Sequence, residues 1–123
     1  MITVKEFNSI GSDERGETKS FTIKDYGQFV YLKRKKGSLC GNSYHRGINE
    51  GTRIKTFILL KGGVTINYRH VDSHESESMK VTAPSIIEVE PFTVHNMYME
   101  SDVLILENNS ITDIHEDVVR EKV

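Results

Sequence analysis

The feature that most constrains the fold is a succession of short β-rich runs separated by turn residues. Residues 54–60 (IKTFILL) and 64–70 (VTINYRH) flank Lys61, Gly62 and Gly63, a pattern that predicts a β-hairpin. Similar runs recur at close intervals along almost the whole chain, and most are too short for an amphipathic helix. The sequence predicts strands over residues 2–7, 20–24, 28–33, 38–46, 54–60, 64–70, 79–82, 86–90, 95–99 and 103–107.

Many short strands in a chain of 123 residues predict one all-β domain that occupies residues 1–123. The expected form is a double-sheet jelly roll with its core over about residues 20–110. Only residues 111–123 have helical spacing, with Ile114, Val118 and Val119 on one face. A short C-terminal helix or an unpaired tail is therefore expected after the last strand.

The run 54–60 is largely apolar on both faces. Alternation places Lys55, Phe57 and Leu59 on one face and Thr56, Ile58 and Leu60 on the other. A strand of this kind is covered on both sides. In a small domain the second cover is often another subunit, so the sequence predicts a homodimer.

Composition narrows the classes of partner and compartment. The net charge of −2 and the pI of about 6.2 give no reason to expect nucleic acid or an anionic membrane as partner. No apolar run approaches the roughly 20 residues that span a bilayer, and the first residues lack the pattern of a signal peptide. Cys40 is the single cysteine, so no internal disulfide can form. These observations predict a cytoplasmic protein.

Five histidines are the main candidates for chemistry. His74 lies in a polar run and His115 in a charged tail, so both are expected to be solvated. His70 ends a predicted strand, where a surface position is expected. His45 and His95 remain, and the turn that contains Pro91 holds His95 at the start of a strand, near the type of barrel mouth where ligand sites form.

The first of these histidines lies in a spacing that resembles the first motif of the cupin family. In that motif a glycine, five residues, His-x-His, a gap, a glutamate and six residues precede a second glycine. Here Gly37 and Gly62 keep the glycine spacings, and His45 keeps the second histidine. Ser43 takes the place of the first histidine, and Lys55 takes the place of the glutamate.

The second histidine lies in a pattern that resembles the second cupin motif, where a histidine follows a proline by four residues, as His95 follows Pro91. The stretches 12–16 (SDERG), 27–29 (GQF) and 41–45 (GNSYH) resemble small cupins of surface-polysaccharide biosynthesis. That group includes sugar-nucleotide 3,4-ketoisomerases and the C-terminal cupin domains of capsular-polysaccharide reductases. The resemblance implies a double-stranded β-helix fold and a nucleotide-linked sugar as ligand. In the ketoisomerases a His-x-His pair shuttles protons, and the reductase cupins can hold a metal through histidines and a glutamate.

The substitutions in the first motif argue against a metal. A divalent ion needs three or four donors, whereas a protonated Lys55 has no lone pair and a neutral Ser43 is a poor ligand. At ~4 Å and an effective dielectric constant near 20, a lysine would oppose a unit positive charge by about 4 kcal/mol. We therefore expect no cofactor, or at most a weakly held divalent metal. The alternative set is His45 and His95 with Glu50 as a third ligand from the loop between the strands.

The resemblance and the residues together predict an isomerase or epimerase of a nucleotide-linked sugar that uses histidine acid–base chemistry without metal. His45, His95 and Lys55 are the predicted catalytic residues, with Lys55 stabilising an enolate or binding a phosphate. Ser43, Tyr31 and Tyr68 are the predicted substrate-binding residues. Two alternatives stay open: a non-catalytic cupin that binds a small molecule, and a metallo-cupin.

Overall fold

The computed structural model describes residues 1–23, 28–48, 53–108 and 117–123. Within these ranges nearly all regular structure is β-strand. The strands are β1 (Ile2–Glu6), β2 (Asn8–Asp13), β3 (Gly16–Ser20), β4 (Phe29–Arg34), β5 (Leu39–His45), β6 (Lys55–Lys61), β7 (Gly63–His70), β8 (Glu77–Thr82), β9 (Ser85–Val89), β10 (Thr93–Met99), β11 (Val103–Asn108) and β12 (Val118–Arg120).

Two five-stranded antiparallel sheets build the body of the molecule. The first sheet has the order β1-β9-β6-β11-β4, and the second has the order β12-β5-β10-β7-β8. Strands adjacent in sequence mostly lie in different sheets, as in a jelly roll, and this confirms the predicted all-β double-sheet fold. The described part of the chain contains no helix that is long and apolar enough to cross a membrane.

The core lies between the two sheets. Leu59 and Ile87 of the first sheet and Ile66 and Met97 of the second belong to one buried cluster, and none of them is more than 4% exposed. Their strands alternate inward apolar residues with outward residues, which is the pattern that fixes strand register. Burial of such side chains stabilises the fold by about 1.5–3 kcal/mol each relative to exposure.

Strand β6 is buried on both faces, as its sequence predicted. Phe57 and Leu59 face the core, while Thr56 and Ile58 face outward and are still only 4% and 2% exposed. Thr22 and Ile23 line a groove together with Thr56, so the chain's own N-terminal part lies beside this outer face. Part of the second cover therefore comes from the same subunit, and the dimer stays a prediction.

Two local predictions are wrong. The strand predicted over residues 20–24 is displaced, because Ser20 ends β3 and residues 21–23 lie outside any strand. Strand β3 instead pairs with β2 as a separate hairpin whose residues are all exposed. At the C-terminus, Val118–Arg120 form β12 against β5 rather than a helix. Residues 111–116 of the predicted helix lie outside the described ranges.

Candidate functional site

A cavity of about 440 Å³ opens between the two sheets at the end where β5 and β4 lie. It brings together four residues that the sequence singled out: His45 and Ser43 from β5, His95 from β10, and Lys55 from β6. The remaining lining residues are Leu32, Arg34, Cys40, Gly41, Tyr44, Phe57, Met97, Glu107, Val118 and Arg120. The structure thus places the candidate acid–base groups in one enclosure, and their roles stay predictions.

A β-bulge in β5 directs the site residues inward. His95 is opposite Ser43, but the next residue, Asn96, is opposite Gly41, so Asn42 is the extra residue. Asn42 and Gly41 have φ angles of 58° and 103°. Cys40 and Ser43 would lie on opposite faces of a regular strand. Because of the bulge, both line the cavity.

His95 presents a nitrogen lone pair to the cavity. Its Nδ1 lies 3.0 Å from the carbonyl oxygen of Thr93. A carbonyl only accepts, so Nδ1 carries the hydrogen and the neutral ring keeps its lone pair on Nε2. Burial is the main cause that lowers the pKa of His95, and the charge of Lys55 lowers it further. The imidazole is therefore a neutral base at neutral pH.

His45 is held differently. Its Nε2 donates to the carbonyl oxygen of Arg53 at 3.1 Å, so the lone pair is on Nδ1. That Nδ1 is buried and has no hydrogen-bond partner among the described residues. Burial is again the main cause that lowers the pKa of this histidine, while the nearby carboxylate of Asp117 raises it. His45 lines the cavity, but its basic nitrogen is more enclosed by protein than that of His95.

Lys55 is paired with a carboxylate that sequence reasoning missed. Its Nζ lies 2.6 Å from Oε1 of Glu107, and the two side chains are 11% and 16% exposed. The ammonium group also lies 5.5 Å from the ring centroid of Phe57, whose ring packs edge-on against His95. The available signal was alternation, because Val103 and Ile105 face the core and Glu107 continues that face of β11.

Two arginines give the cavity mouth a positive character. Arg34 comes from β4 of the first sheet and Arg120 from β12 of the second, and both are exposed. Arg120 donates from Nη1 to the carbonyl oxygen of Gly41 at 3.2 Å, which orients its guanidinium along β5. Neither arginine was a sequence candidate, because their common location depends on how the two sheets pack.

The other predicted substrate-binding residues are not brought to this cavity. Tyr31 is 61% exposed on the outer face of β4, because its neighbours Val30 and Leu32 take the inward positions. Tyr68 is opposite His95 on β7, but it packs against the core cluster and is not among the residues that line the cavity. Both tyrosines therefore lie outside the lining of this cavity, and their contact with substrate stays a prediction.

The described residues do not fit a metal centre. Within these ranges, no group of three or more His, Cys, Asp or Glu side chains is placed to hold an ion. Glu107 shares its carboxylate with the Lys55 ammonium, whose charge opposes a cation at the same place. The alternative with Glu50 stays a prediction, because Glu50 lies outside the described residues.

This double-sheet β-roll, with one inward histidine on β5 and another on β10, has the jelly-roll fold of the cupins. The chain belongs to the family described as the polysaccharide biosynthesis C-terminal domain, whose sequence model matches residues 11–115. No curated protein sequence gives a significant match.

Solved structures agree with this fold. The sugar 3,4-ketoisomerase QdtA from Thermoanaerobacterium thermosaccharolyticum, solved with TDP, is similar with a TM-score of 0.73 and 19% identity, over 98% of this chain and 88% of that one. RmlC, the dTDP-6-deoxy-D-glucose-3,5-epimerase from Legionella pneumophila, is similar with a TM-score of 0.68 and 19% identity, over 97% of this chain and 71% of that one. The capsular polysaccharide assembling protein CapF from Staphylococcus aureus is similar with a TM-score of 0.66 and 22% identity, over 96% of this chain but only 35% of CapF.

Proposed function

We propose that this cupin is an isomerase or epimerase of a nucleotide-linked keto-sugar. An isomerase moves a proton between adjacent carbons, and an epimerase replaces it on the opposite face of one carbon. Two proteins of similar fold support the ligand class: QdtA was solved with TDP, and RmlC with dTDP-4-keto-L-rhamnose. The single unpaired Cys40 is compatible with a cytoplasmic setting for this reaction.

The observation that carries the proposal is the Nε2 lone pair of His95. The Nδ1–H bond to Thr93 fixes the tautomer, and burial keeps the ring neutral. In the proposed step Nε2 takes a proton from the carbon next to the ketone, and the electron pair of the broken C–H bond forms an enolate. In an isomerisation, the imidazolium then protonates the former ketone carbon, while the proton of the adjacent hydroxyl moves to the enolate oxygen, so that the neighbouring carbon becomes the ketone. In an epimerisation, a second acid on the opposite face protonates the same carbon, and His95 releases the proton that it took to solvent. His45 is the second acid–base candidate.

Charged groups of the site suit the other parts of such a ligand. Lys55 is positioned to stabilise the negative charge that develops on the enolate oxygen, while Glu107 keeps the resting site close to neutral. Arg34 and Arg120 at the mouth suit the diphosphate, because guanidinium groups bind phosphate oxygens through two N–H donors. Ser43, opposite His95, is the candidate for a hydrogen bond to a sugar hydroxyl.

The experiment is solvent exchange in deuterium oxide. The wild-type protein is incubated with TDP-4-keto-6-deoxyglucose, and NMR follows deuterium incorporation next to the ketone. We expect exchange in the wild type, a loss of about 100-fold or more in His95→Asn, and a smaller loss in His45→Asn. His74→Gln is the matched control, because His74 is exposed. A wild-type protein that binds the sugar nucleotide without exchange would refute the catalytic proposal.

A non-catalytic cupin that binds the same ligand is the second candidate. One observation favours it. In His45, Nε2 is a hydrogen-bonded N–H and the lone pair on Nδ1 is enclosed by protein, so His95 is the more accessible base of the two histidines. Binding without turnover would raise the melting temperature in the presence of TDP and leave the deuterium content unchanged. The two candidates therefore differ in one measurement on the same sample.

A further inference from the structure

The C-terminal segment (residues 117–123) forms part of the cavity wall. Val118 and Arg120 line the cavity, and their strand pairs with β5 so that Val118 is opposite His45 and Arg120 is opposite Ser43. A strand of three residues contributes few hydrogen bonds of its own. The position of this wall must therefore depend on what holds the residues on either side of the strand.

On one side the segment is fixed to the residues that follow His45. The carboxylate of Asp117 is fully buried and accepts the backbone N–H groups of Arg46 and Gly47, each at 3.0 Å. The backbone N–H of Arg46 also lies 3.3 Å from the carbonyl oxygen of Asp117. Buried carboxylates with several N–H donors form strong, charge-assisted bonds. The same carboxylate raises the pKa of His45 against the effect of burial.

On the other side the segment is fixed from the outer face of the second sheet. Arg69 of β7 is opposite Val94, which faces away from the core, and its guanidinium is not part of the cavity lining. Its Nη2 lies 2.7 Å from Oε2 of Glu121 and donates to the carbonyl oxygen of Lys122 at 2.8 Å. The Arg69 side chain is 13% exposed and that of Glu121 is 39% exposed, so solvent screens this ion pair less than it screens an open surface pair.

We propose that the Arg69–Glu121 ion pair controls the ligand site from outside it, by holding the C-terminal segment in place as a wall of the cavity. Arg69 is then a positioning residue. Ligand bound against Val118 and Arg120 stabilises the docked segment, and by linkage the docked segment strengthens ligand binding by the same factor. The ligand side of this coupling rests on the function proposed above, whereas the mechanical side rests only on the contacts of Arg69, Asp117 and β12.

The test compares Arg69→Gln and Glu121→Gln with Arg69→Lys, which keeps a positive charge and N–H donors for Glu121 and the Lys122 carbonyl oxygen. Amide hydrogen exchange is followed at Glu121, whose N–H bonds the carbonyl oxygen of Asn42, and at core residue Ile66. We expect both glutamine variants to exchange faster at Glu121 with no change at Ile66, and to bind TDP about fivefold or more weakly. Arg69→Lys should lose less of both properties than Arg69→Gln, because its ammonium group can still pair with Glu121. Arg15→Gln is the control, because Arg15 has an ion pair of equal length with Asp13 in the exposed hairpin.

Faster exchange at Glu121 with unchanged affinity for TDP would overturn the proposal. So would an equal loss of affinity in Arg69→Lys and Arg69→Gln. If the wild-type protein does not bind TDP, the proposed function fails, and the coupling is judged by the ring resonances of His45. These should shift in Arg69→Gln while the amide resonances of the exposed β2–β3 hairpin stay in place, and unshifted His45 resonances would overturn the coupling as well.

Discussion

At the scale of single residues, the Lys55–Glu107 pair sets the electrostatics of the cavity. Without Glu107, an ammonium group that is 11% exposed would stand beside two buried imidazoles with no counter-charge from β11. With it, the site holds two neutral bases and one paired cation. A developing enolate can then draw on the lysine charge without a large desolvation cost for the resting protein.

Glu107→Gln should therefore destabilise the fold and lower the pKa of His95. We expect a loss of about 2 kcal/mol in the free energy of unfolding, between the values for exposed and fully buried pairs. Because Glu107 raises the pKa of His95, its removal should lower that pKa further. Urea denaturation and NMR titration of the His95 ring measure the two effects. Glu88→Gln is the matched control, since its pair with Lys5 is also 2.6 Å long but Lys5 is 52% exposed; equal losses in both variants would contradict this reasoning.

The two buried histidines should also make stability depend on pH. Burial lowers the pKa of both rings, so at a pH between the unfolded and the folded pKa the unfolded chain binds protons and the folded protein does not. Their contribution is fully present above the unfolded pKa of about 6.5 and is lost as the pH falls from there through the folded values. Urea denaturation at pH values from about 7.5 down to about 5 should show falling stability.

The variants separate these rings from the other titrating groups. His45→Gln and His95→Gln should each flatten the pH dependence by up to ~1.4 kcal/mol per pH unit. His74→Gln should keep the wild-type slope, because His74 is exposed. A His95→Gln protein with the full wild-type slope would show that burial of this ring is not the source.

Residue identity could be predicted from the sequence where the resemblance to the cupin motifs decided it. The spacing to Gly37 and to Pro91 pointed to His45 and His95, and both line the cavity. Glu107, Asp117 and Arg120 were missed, because their roles arise from pairing between strands far apart in sequence. The exposed position of Tyr31 could not be predicted, because its inward or outward direction depends on the register of β4, which aromatic character does not determine.

At the scale of elements, the bulge in β5 is the feature on which the site most depends. Gly41 has a φ of 103°, and a Cβ atom there would lie 2.9 Å from the carbonyl oxygen of His95 and 3.0 Å from the Cα of Asn96. Both neighbours are backbone atoms of β10, so neither can rotate away. An alanine at this position must push β5 from β10, on which His95 lies.

Gly41→Ala should consequently cost about 2 kcal/mol or more in the free energy of unfolding. It should also disturb the His95 ring resonances. Gly11→Ala is the control, because a Cβ atom at Gly11 meets nothing within 4 Å and its φ is not in the left-handed region. Thermal and urea denaturation measure the stability of both variants, and NMR measures the His95 ring resonances. Similar melting temperatures for Gly41→Ala and the wild type would show that the bulge is adaptable.

Most strands from β4 to β11 were predictable because they have an apolar inward row and a turn residue beside it. Strand β5 is the exception, since its inward residues line the cavity. The exposed β2–β3 hairpin was missed because it buries no such row, so alternation carries no signal there. Strand β12 was predicted as helix for a related reason. Its three residues are a strand only because the edge of β5 offers hydrogen-bonding partners.

At the scale of the whole molecule, the outer face of the first sheet carries a continuous apolar row. Tyr31 is opposite Leu106, Leu106 is opposite Ile58, and Ile58 is opposite Ile86, across four strands. Ile58 and Ile86 are 2% and 4% exposed, whereas Tyr31 is 61% exposed. The row is thus covered by the subunit at one end and open at the other, where β4 lies at the edge of the described sheet.

The open end is where we expect the predicted homodimer to form, because burial of the exposed Tyr31 ring beside a sheet edge stabilises association. Sedimentation velocity should show a dimer for the wild type, and Tyr31→Glu should raise its dissociation constant at least ~10-fold. Tyr98→Glu is the matched control, since Tyr98 is also exposed but lies on the outer face of the second sheet. A wild-type protein that sediments as a monomer at every concentration would refute the dimer. A dimer that Tyr98→Glu weakens and Tyr31→Glu spares would instead place the interface on the second sheet.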